Sequence, residues 1–201
     1  MKGELMVSSI PLTPKTGGGV CIPVEALKPA DIIVSTTNAP ISRIIRAAEG
    51  FSCVSHAAVY VGDGNLVEAT GEGVGCKPVE QALRDDTLAV AYRHVRMTPG
   101  AAKQIVAFAR QACANKAKYD IPGAIMANKY VCVILLNPVG CVAGRAMESS
   151  KRFYCSKLVF EAYKKAGLPL SSGVLDSNDP EAIVQIYSHS AVLRYIGHLK
   201  D

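Results

Sequence analysis

Residues 55 to 70 constrain this chain more tightly than any other stretch. Ser55-His56-Ala57-Ala58-Val59-Tyr60-Val61 is β-rich, Gly62-Asp63-Gly64 is turn chemistry, and Asn65-Leu66-Val67-Glu68-Ala69 leads back. Two such runs around Asp-Gly read as an antiparallel hairpin. Side chains alternate between strand faces, so His56, Ala58 and Tyr60 share one of them. The loop length then decides where Glu68 points. A two-residue loop at Asp63-Gly64 pairs Glu68 with Val59 and turns it away from His56. A three-residue loop of Gly62, Asp63 and Gly64 puts its last glycine in the left-handed position such loops favour. Residue 61 then pairs with 65, Glu68 sits opposite Ala58, and His56 is its diagonal neighbour, about 7–8 Å away between backbones. The expectation is the three-residue loop, with Glu68 accepting a hydrogen bond from one ring nitrogen of His56.

The second informative stretch is Phe153-Tyr154-Cys155-Ser156-Lys157-Leu158-Val159. Leu158, Val159, Ala162 and Ala166 recur at helical steps, and Gly167 and Pro169 then stop the helix. Cys155 stands in its first turn, where unpaired backbone N–H groups and the positive end of the helix dipole favour thiolate over thiol. Set beside a histidine oriented by a glutamate, it completes a nucleophile, base and orienter. The plainer alternatives are a cysteine that is merely buried, a strand histidine with a structural role and a solvent-facing glutamate.

Around these features the chain reads as an α+β domain. Residues 1–20, ending in Pro14-Lys15-Thr16-Gly17-Gly18-Gly19, are expected to be a flexible lead, and residues 21–201 a single domain. A turn at Leu27-Lys28-Pro29-Ala30-Asp31 feeds a strand over Ile32 to Ser35, and a helix runs from Pro40 to about Ala48. Strands are expected at His56 to Val61, Leu66 to Thr70 and Leu88 to Val95, with a short helix over Pro78 to Leu83. Pro99 starts an amphipathic helix through about Ala114, with Ile105, Ala109 and Ala112 on one side. A helical or mixed segment follows from Pro122 to about Leu136. After the Cys155 helix, Asn178-Asp179-Pro180-Glu181 caps another, and Ala191 to Ile196 is a final strand. Strands and helices are segregated rather than alternating, which gives the α+β class: an antiparallel sheet packed against helices.

Composition narrows the function classes. The chain has 201 residues, 49% of them hydrophobic, and a formal net charge of +5. Its lysines and arginines are scattered and lack the aromatic interleaving that single-stranded nucleic acid requires, so a nucleic-acid partner is not expected. Seven cysteines show no CxxC pair. Neither a zinc site nor a disulfide framework is indicated, and most are expected to be small buried hydrophobes in a reducing compartment. Met1 to Leu12 has no apolar signal region, so the expected location is cytoplasmic, or periplasmic through a leaderless secretion system. The apolar run Tyr130 to Gly144 contains Asn137, Pro138 and Gly140 and is too interrupted to span a bilayer. It reads as a buried helix ending near Asn137, with a flap beside the site or an acyl-chain contact as alternatives.

Taken in order, Leu27-Lys28-Pro29-Ala30-Asp31-Ile32-Ile33-Val34, the His56 hairpin, Val67-Glu68-Ala69 and the Cys155 segment resemble the circularly permuted NlpC-type papain-like cysteine hydrolases. The nearest branch is the YiiX/YaeF-like one, with lecithin-retinol acyltransferases as distant relatives. The matches span about residues 27 to 167. The resemblance implies a permuted papain-like fold in which histidine precedes cysteine, with Cys155 as nucleophile, His56 as general base and Glu68 as the orienting group. Tyr119-Asp120 matches a Tyr-Asp step of the family, placing Tyr119, Asp120 and Tyr154 near the substrate or oxyanion. Ala30 departs from the family, which commonly has glycine there, and Lys157 stands where glutamate is common and adds positive charge near Cys155.

The implied activity needs no metal or organic cofactor: a cysteine peptidase or amidase cleaves a peptide, isopeptide or other amide bond through a thioester. Bacterial cell-wall peptides are the expected substrate, with the protein acting as an antibacterial effector that would have a delivery or immunity partner. The alternatives are an acyl-amide or lipid hydrolase or acyltransferase of the lecithin-retinol type, and a non-catalytic amino-acid or peptide-binding module.

Overall fold

β-Branched and apolar residues dominate the first half of the chain, and there they build one sheet. In the computed structural model, which describes residues 19–38, 53–70, 73–115, 155–170 and 180–200, a 3-10 turn at Val24–Ala26 leads into it. The elements are then β1 (Ile32–Thr37), β2 (His56–Gly62), β3 (Asn65–Thr70), β4 (Gly73–Pro78), α1 (Val79–Ala82), β5 (Asp86–His94), α2 (Pro99–Ala114), α3 (Cys155–Lys165), α4 (Pro180–His189) and β6 (Leu193–Lys200). The six strands are ordered β4-β3-β2-β1-β5-β6 and every neighbouring pair is antiparallel. The α+β class expected from the sequence holds. The helices expected at 40–48 and 122–136, the apolar run 130–144 and the cap at 178–179 lie outside the described residues.

Alternation sorts the strand residues onto two buried faces. Val34, Val59, Val67 and Val90 pack with α2, α3 and α4, while Ile33, Ala58, Tyr60 and Leu66 pack with Leu27, Val79 and Leu83. The helices form where their periodicity indicates. On α2 the buried residues are Ile105, Ala109 and Ala112; Pro99 opens the helix, and the Thr98 side chain caps it by accepting from the N–H of Ala101. α3 ends in a left-handed Gly167 (φ 70°). There the Gly167 N–H bonds the Lys164 carbonyl and the Leu168 N–H bonds that of Tyr163, the Schellman pattern.

The structure adds one strand and corrects one expectation. β4 was not legible, because Gly73-Val74-Gly75-Cys76-Lys77-Pro78 has little β propensity; as an edge strand it is held by its pairing to β3. The cysteines are not mostly buried either. Cys21, Cys53 and Cys76 are exposed and Cys113 is half-buried, leaving Cys155 as the buried one among those described. No helix of the described residues is long and apolar enough to cross a membrane.

A buried ion pair ties the start of β1 to the rest. Asp31 Oδ1 accepts from Arg93 Nε at 2.6 Å and Oδ2 from Arg93 Nη2 at 2.5 Å; Oδ2 also takes the Lys28 N–H at 2.7 Å. The hydrogen bond to Asp31 holds the Arg93 guanidinium protonated beyond its ordinary range. The neighbouring residue, Ala30, is at φ 72°, a left-handed backbone where a Cβ is disfavoured by about 1–2 kcal/mol. A glycine would carry no such penalty there. Ala30 is held in place by its N–H to the Tyr60 carbonyl and by its carbonyl, which accepts from Tyr163 OH on α3. Replacing Arg93 by Met leaves the Asp31 carboxylate buried without its cation, and denaturant unfolding should show a loss of about 3–5 kcal/mol. A loss below 1 kcal/mol would mean that the pair contributes little.

Candidate active site

The hairpin closes by a route the sequence reading did not choose. Asp63 (φ 54°) and Gly64 (φ 70°) are both left-handed, the pattern of a two-residue type I′ turn, and Gly62 pairs with Asn65. Such a loop alone would turn Glu68 away from His56. The register, however, shifts between Tyr60 and Gly62, where β2 carries one extra residue. Gly62 sits there at φ 92°, which a side chain would strain. The bulge restores the parity of a three-residue loop, so Tyr60 pairs with Leu66 and Ala58 with Glu68. Glu68 and His56 therefore share a face.

On that face His56 Nε2 and Glu68 Oε2 are 2.8 Å apart. Lys77, which the sequence reading did not consider, lies 3.1 Å from the other oxygen, Glu68 Oε1. Both partners reach the carboxylate diagonally. Glu68 pairs with Ala58 on β2 and Gly75 on β4, and His56 and Lys77 each lie two residues along from those positions. Lys77 was hidden because β4 itself was not legible. Burial would raise the Glu68 pKa, but hydrogen bonds and charge from His56 and Lys77 outweigh it and hold the carboxyl below its usual range.

Cys155 is the first residue of α3 and is buried. α3 packs on the opposite face of the sheet from Glu68, so the meeting point is the end of β2, where His56 opens the strand. There the thiol hydrogen-bonds the His56 side chain and receives the backbone N–H groups of Ala57 and Ser156. Burial opposes thiolate formation, yet the imidazolium and these N–H groups outweigh it, and the Cys155 pKa falls. Burial likewise opposes charge on His56, but Cys155 and Glu68 prevail and push it up to about 10. Each charge favours the other: the imidazolium lowers the thiol pKa and the thiolate raises that of the ring. The His56 side chain is 27% exposed and that of Glu68 is 8% exposed, so solvent reaches the ring more readily than the carboxylate.

The surroundings of His56 are polar. Ser35, Thr36, Ser55 and Asp86 are buried at this end of the sheet, and Thr36 Oγ1 lies 3.1 Å from Ser55 Oγ. Burial pushes the Asp86 carboxyl up against the opposing hydrogen bond from Ser35. Tyr119, Asp120 and Tyr154 lie outside the described residues.

Over 203 residues the chain is 33% identical to "Probable lipoprotein peptidase YaeF" of Escherichia coli (strain K12), with 87% of this chain and 71% of the relative covered. The chain belongs to the YiiX/YaeF family. Its fold is also similar to that of metalloprotein yiiX from Escherichia coli O157:H7, at a TM-score of 0.53 and 17% identity, over 87% of this chain and 88% of the other. No family model matches the chain. Among the described residues no group of three His, Cys, Asp or Glu side chains is arranged to hold a metal ion.

The coupling of the two groups is measurable. The His56 ring, followed by NMR, should keep its proton to about pH 10 in the parent protein. In Cys155→Ala the thiolate is gone while burial and the Glu68 carboxylate remain, so the ring should lose its proton at a lower pH than in the parent protein. An unchanged titration in that variant would separate the two side chains.

Proposed function

We propose that this protein is a cysteine hydrolase of permuted papain-like order, with Cys155 as nucleophile, His56 as general acid and base, and Glu68 as the residue that orients the imidazole. The observation that carries this reading is the continuous contact from Glu68 through His56 to a thiol whose pKa is lowered at a helix start. With Nε2 held by Glu68, Nδ1 is the ring nitrogen left to serve the thiol. The Cys155 thiolate attacks a carbonyl carbon to form a tetrahedral oxyanion. The N–H of Cys155, unsatisfied within its own helix, is the nearest backbone donor for that oxyanion. Imidazolium His56 then gives its proton to the leaving amine, the C–N bond breaks and a thioester remains. Water, deprotonated by His56, cleaves the thioester and returns the thiolate.

The name of the YaeF relative, a probable lipoprotein peptidase, favours a peptide bond over a lipid ester. Within that class we propose peptide or isopeptide bonds of the bacterial cell wall, with an antibacterial effector as the biological role. Mass spectrometry of purified muropeptides and of N-acyl amides, each incubated with the parent protein and with Cys155→Ala, tests this. Cys155-dependent cleavage of muropeptides alone is expected. Cleavage of the N-acyl amides alone would transfer the protein to the acyl-amide class.

Two further outcomes follow from the ion pair. A thiol-directed probe should label Cys155 rapidly at neutral pH, ahead of the exposed Cys21, Cys53 and Cys76, and Cys155→Ala should lose that fast phase, whereas His56→Ala should lower turnover about 10²–10⁴-fold. Labelling rises with pH through the lowered thiol pKa and persists in alkali, because it needs only thiolate. Turnover also needs the imidazolium proton and should fall as pH passes about 10. Labelling of His56→Ala at the parent rate and with the parent pH profile would exclude the pairing.

A further inference from the structure

A cleft of about 820 Å³ opens at the far end of the sheet from His56, between β2, β5, β6 and the first turns of α2. From His56 to Val61, which lines it, is about 17 Å of strand, so the cleft is separate from the Cys155 site. Its volume is that of a small-molecule site. The walls are apolar, built by Val61, Val95, Met97, Pro99 and Val106. Val95 is 51% exposed, one of the two large hydrophobic side chains that stand in solvent among the described residues.

The rim has one sign of charge. Lys28, Lys103, Arg110 and Arg194 line the cleft, and no carboxylate of the described residues does. Arg93 lines it too, but its charge is met by Asp31. Arg110 gives one hydrogen bond to the Val61 carbonyl and lies 3.8 Å from the exposed Asp63, while Lys28, Lys103 and Arg194 make no side-chain ion pair among the described residues. Cations gathered around apolar walls raise the local concentration of anions.

His94 adds an independent sign of a missing partner. It lines the cleft and is 1% exposed. Its Nδ1 accepts from the Arg96 N–H at 3.0 Å, so Nε2 carries the proton. That buried Nε2 has no hydrogen-bond acceptor among the described residues. A buried donor left without an acceptor is destabilising.

We propose that this cleft is a second binding site, for an anionic amphiphile: a phosphate or carboxylate head seated among Lys28, Lys103, Arg110 and Arg194, with its apolar chain against Val95, Met97 and Val106. The site does not depend on Cys155 chemistry.

Calorimetric titration of the full chain with monomeric dodecyl phosphate tests it, with dodecanoate, inorganic phosphate and dodecyltrimethylammonium as comparisons. Both anionic amphiphiles should bind, inorganic phosphate more weakly and the cation not measurably. Lys103→Glu combined with Arg194→Glu should weaken dodecyl phosphate about tenfold or more, whereas Cys155→Ser should leave its affinity unchanged. Lys103→Glu alone changes an exposed helix position and repeats the test without touching the sheet. NMR signals of Val95, Met97 and the His94 ring should move on binding. Co-sedimentation with phosphatidylglycerol vesicles, lost in the same variants, would identify the source of the head as a bilayer lipid; binding of the soluble amphiphiles alone would identify a free one. Equal affinity for dodecyltrimethylammonium, indifference to both charge reversals, or signal changes confined to the Cys155 end would overturn the proposal.

Discussion

One extra residue in β2 governs the arrangement on which the rest of the site depends. Side-chain direction in a strand has a period of two, so a one-residue slip would carry Glu68 to the opposite face and leave His56 facing Ala69 or Val67 positions. The type I′ turn at Asp63-Gly64, taken alone, imposes that slip. The bulge before Gly62 cancels it. Glu68 then stands between a histidine and a lysine on its two neighbouring strands and is charged, buried and hydrogen-bonded on both oxygens. A carboxylate held on both oxygens is fixed in place, and the His56 ring is hydrogen-bonded to it.

The Cys155 helix is placed against this hairpin from both of its ends. Near its C-terminus Tyr163 donates to the Ala30 carbonyl, beside the Asp31–Arg93 pair that joins β1 to β5. At its first residue, Cys155 takes backbone N–H groups from Ala57 and Ser156 and meets His56. The left-handed Ala30 belongs to the same node. Its strained backbone is tolerated because two hydrogen bonds and a buried ion pair on the adjacent residue over-determine it. The sheet thus has a polar end, where His56 and its neighbours lie, and a cationic, apolar-walled end, where the second cleft opens. β2 and β5 run through both ends, with His56 and Asp86 at one and Val61 and His94 at the other, so opposite ends of the same strands carry different side-chain chemistry.

Several parts of this arrangement were legible in the residues. The 3.6-residue periodicity of α2 and α3 identified their buried faces, since a helix stripe is a local property of the chain. The alternation in β2 and β3 placed His56, and the turn glycines located the loop. The loop type was misread, because Gly62-Asp63-Gly64 suits both a three-residue loop and a type I′ turn followed by a bulge. The two share their parity, so the position of Glu68 was nevertheless right. β4, and with it Lys77, could not be read, because its glycines and proline carry no strand signal and only pairing to β3 makes it a strand.

The sequence by itself determined the elements with strong local periodicity, the hairpin and the helix-starting cysteine. Those depend on propensity, alternation and turn chemistry within a few residues. Tertiary structure alone decided that the thiol meets the imidazole, that Lys77 completes the contacts of Glu68, and that cations from the Lys28 turn, α2 and β6 converge on one cleft. Each of these is a contact between segments far apart in the chain. Its existence depends on how the sheet is ordered and how the helices pack on it, which no local pattern encodes.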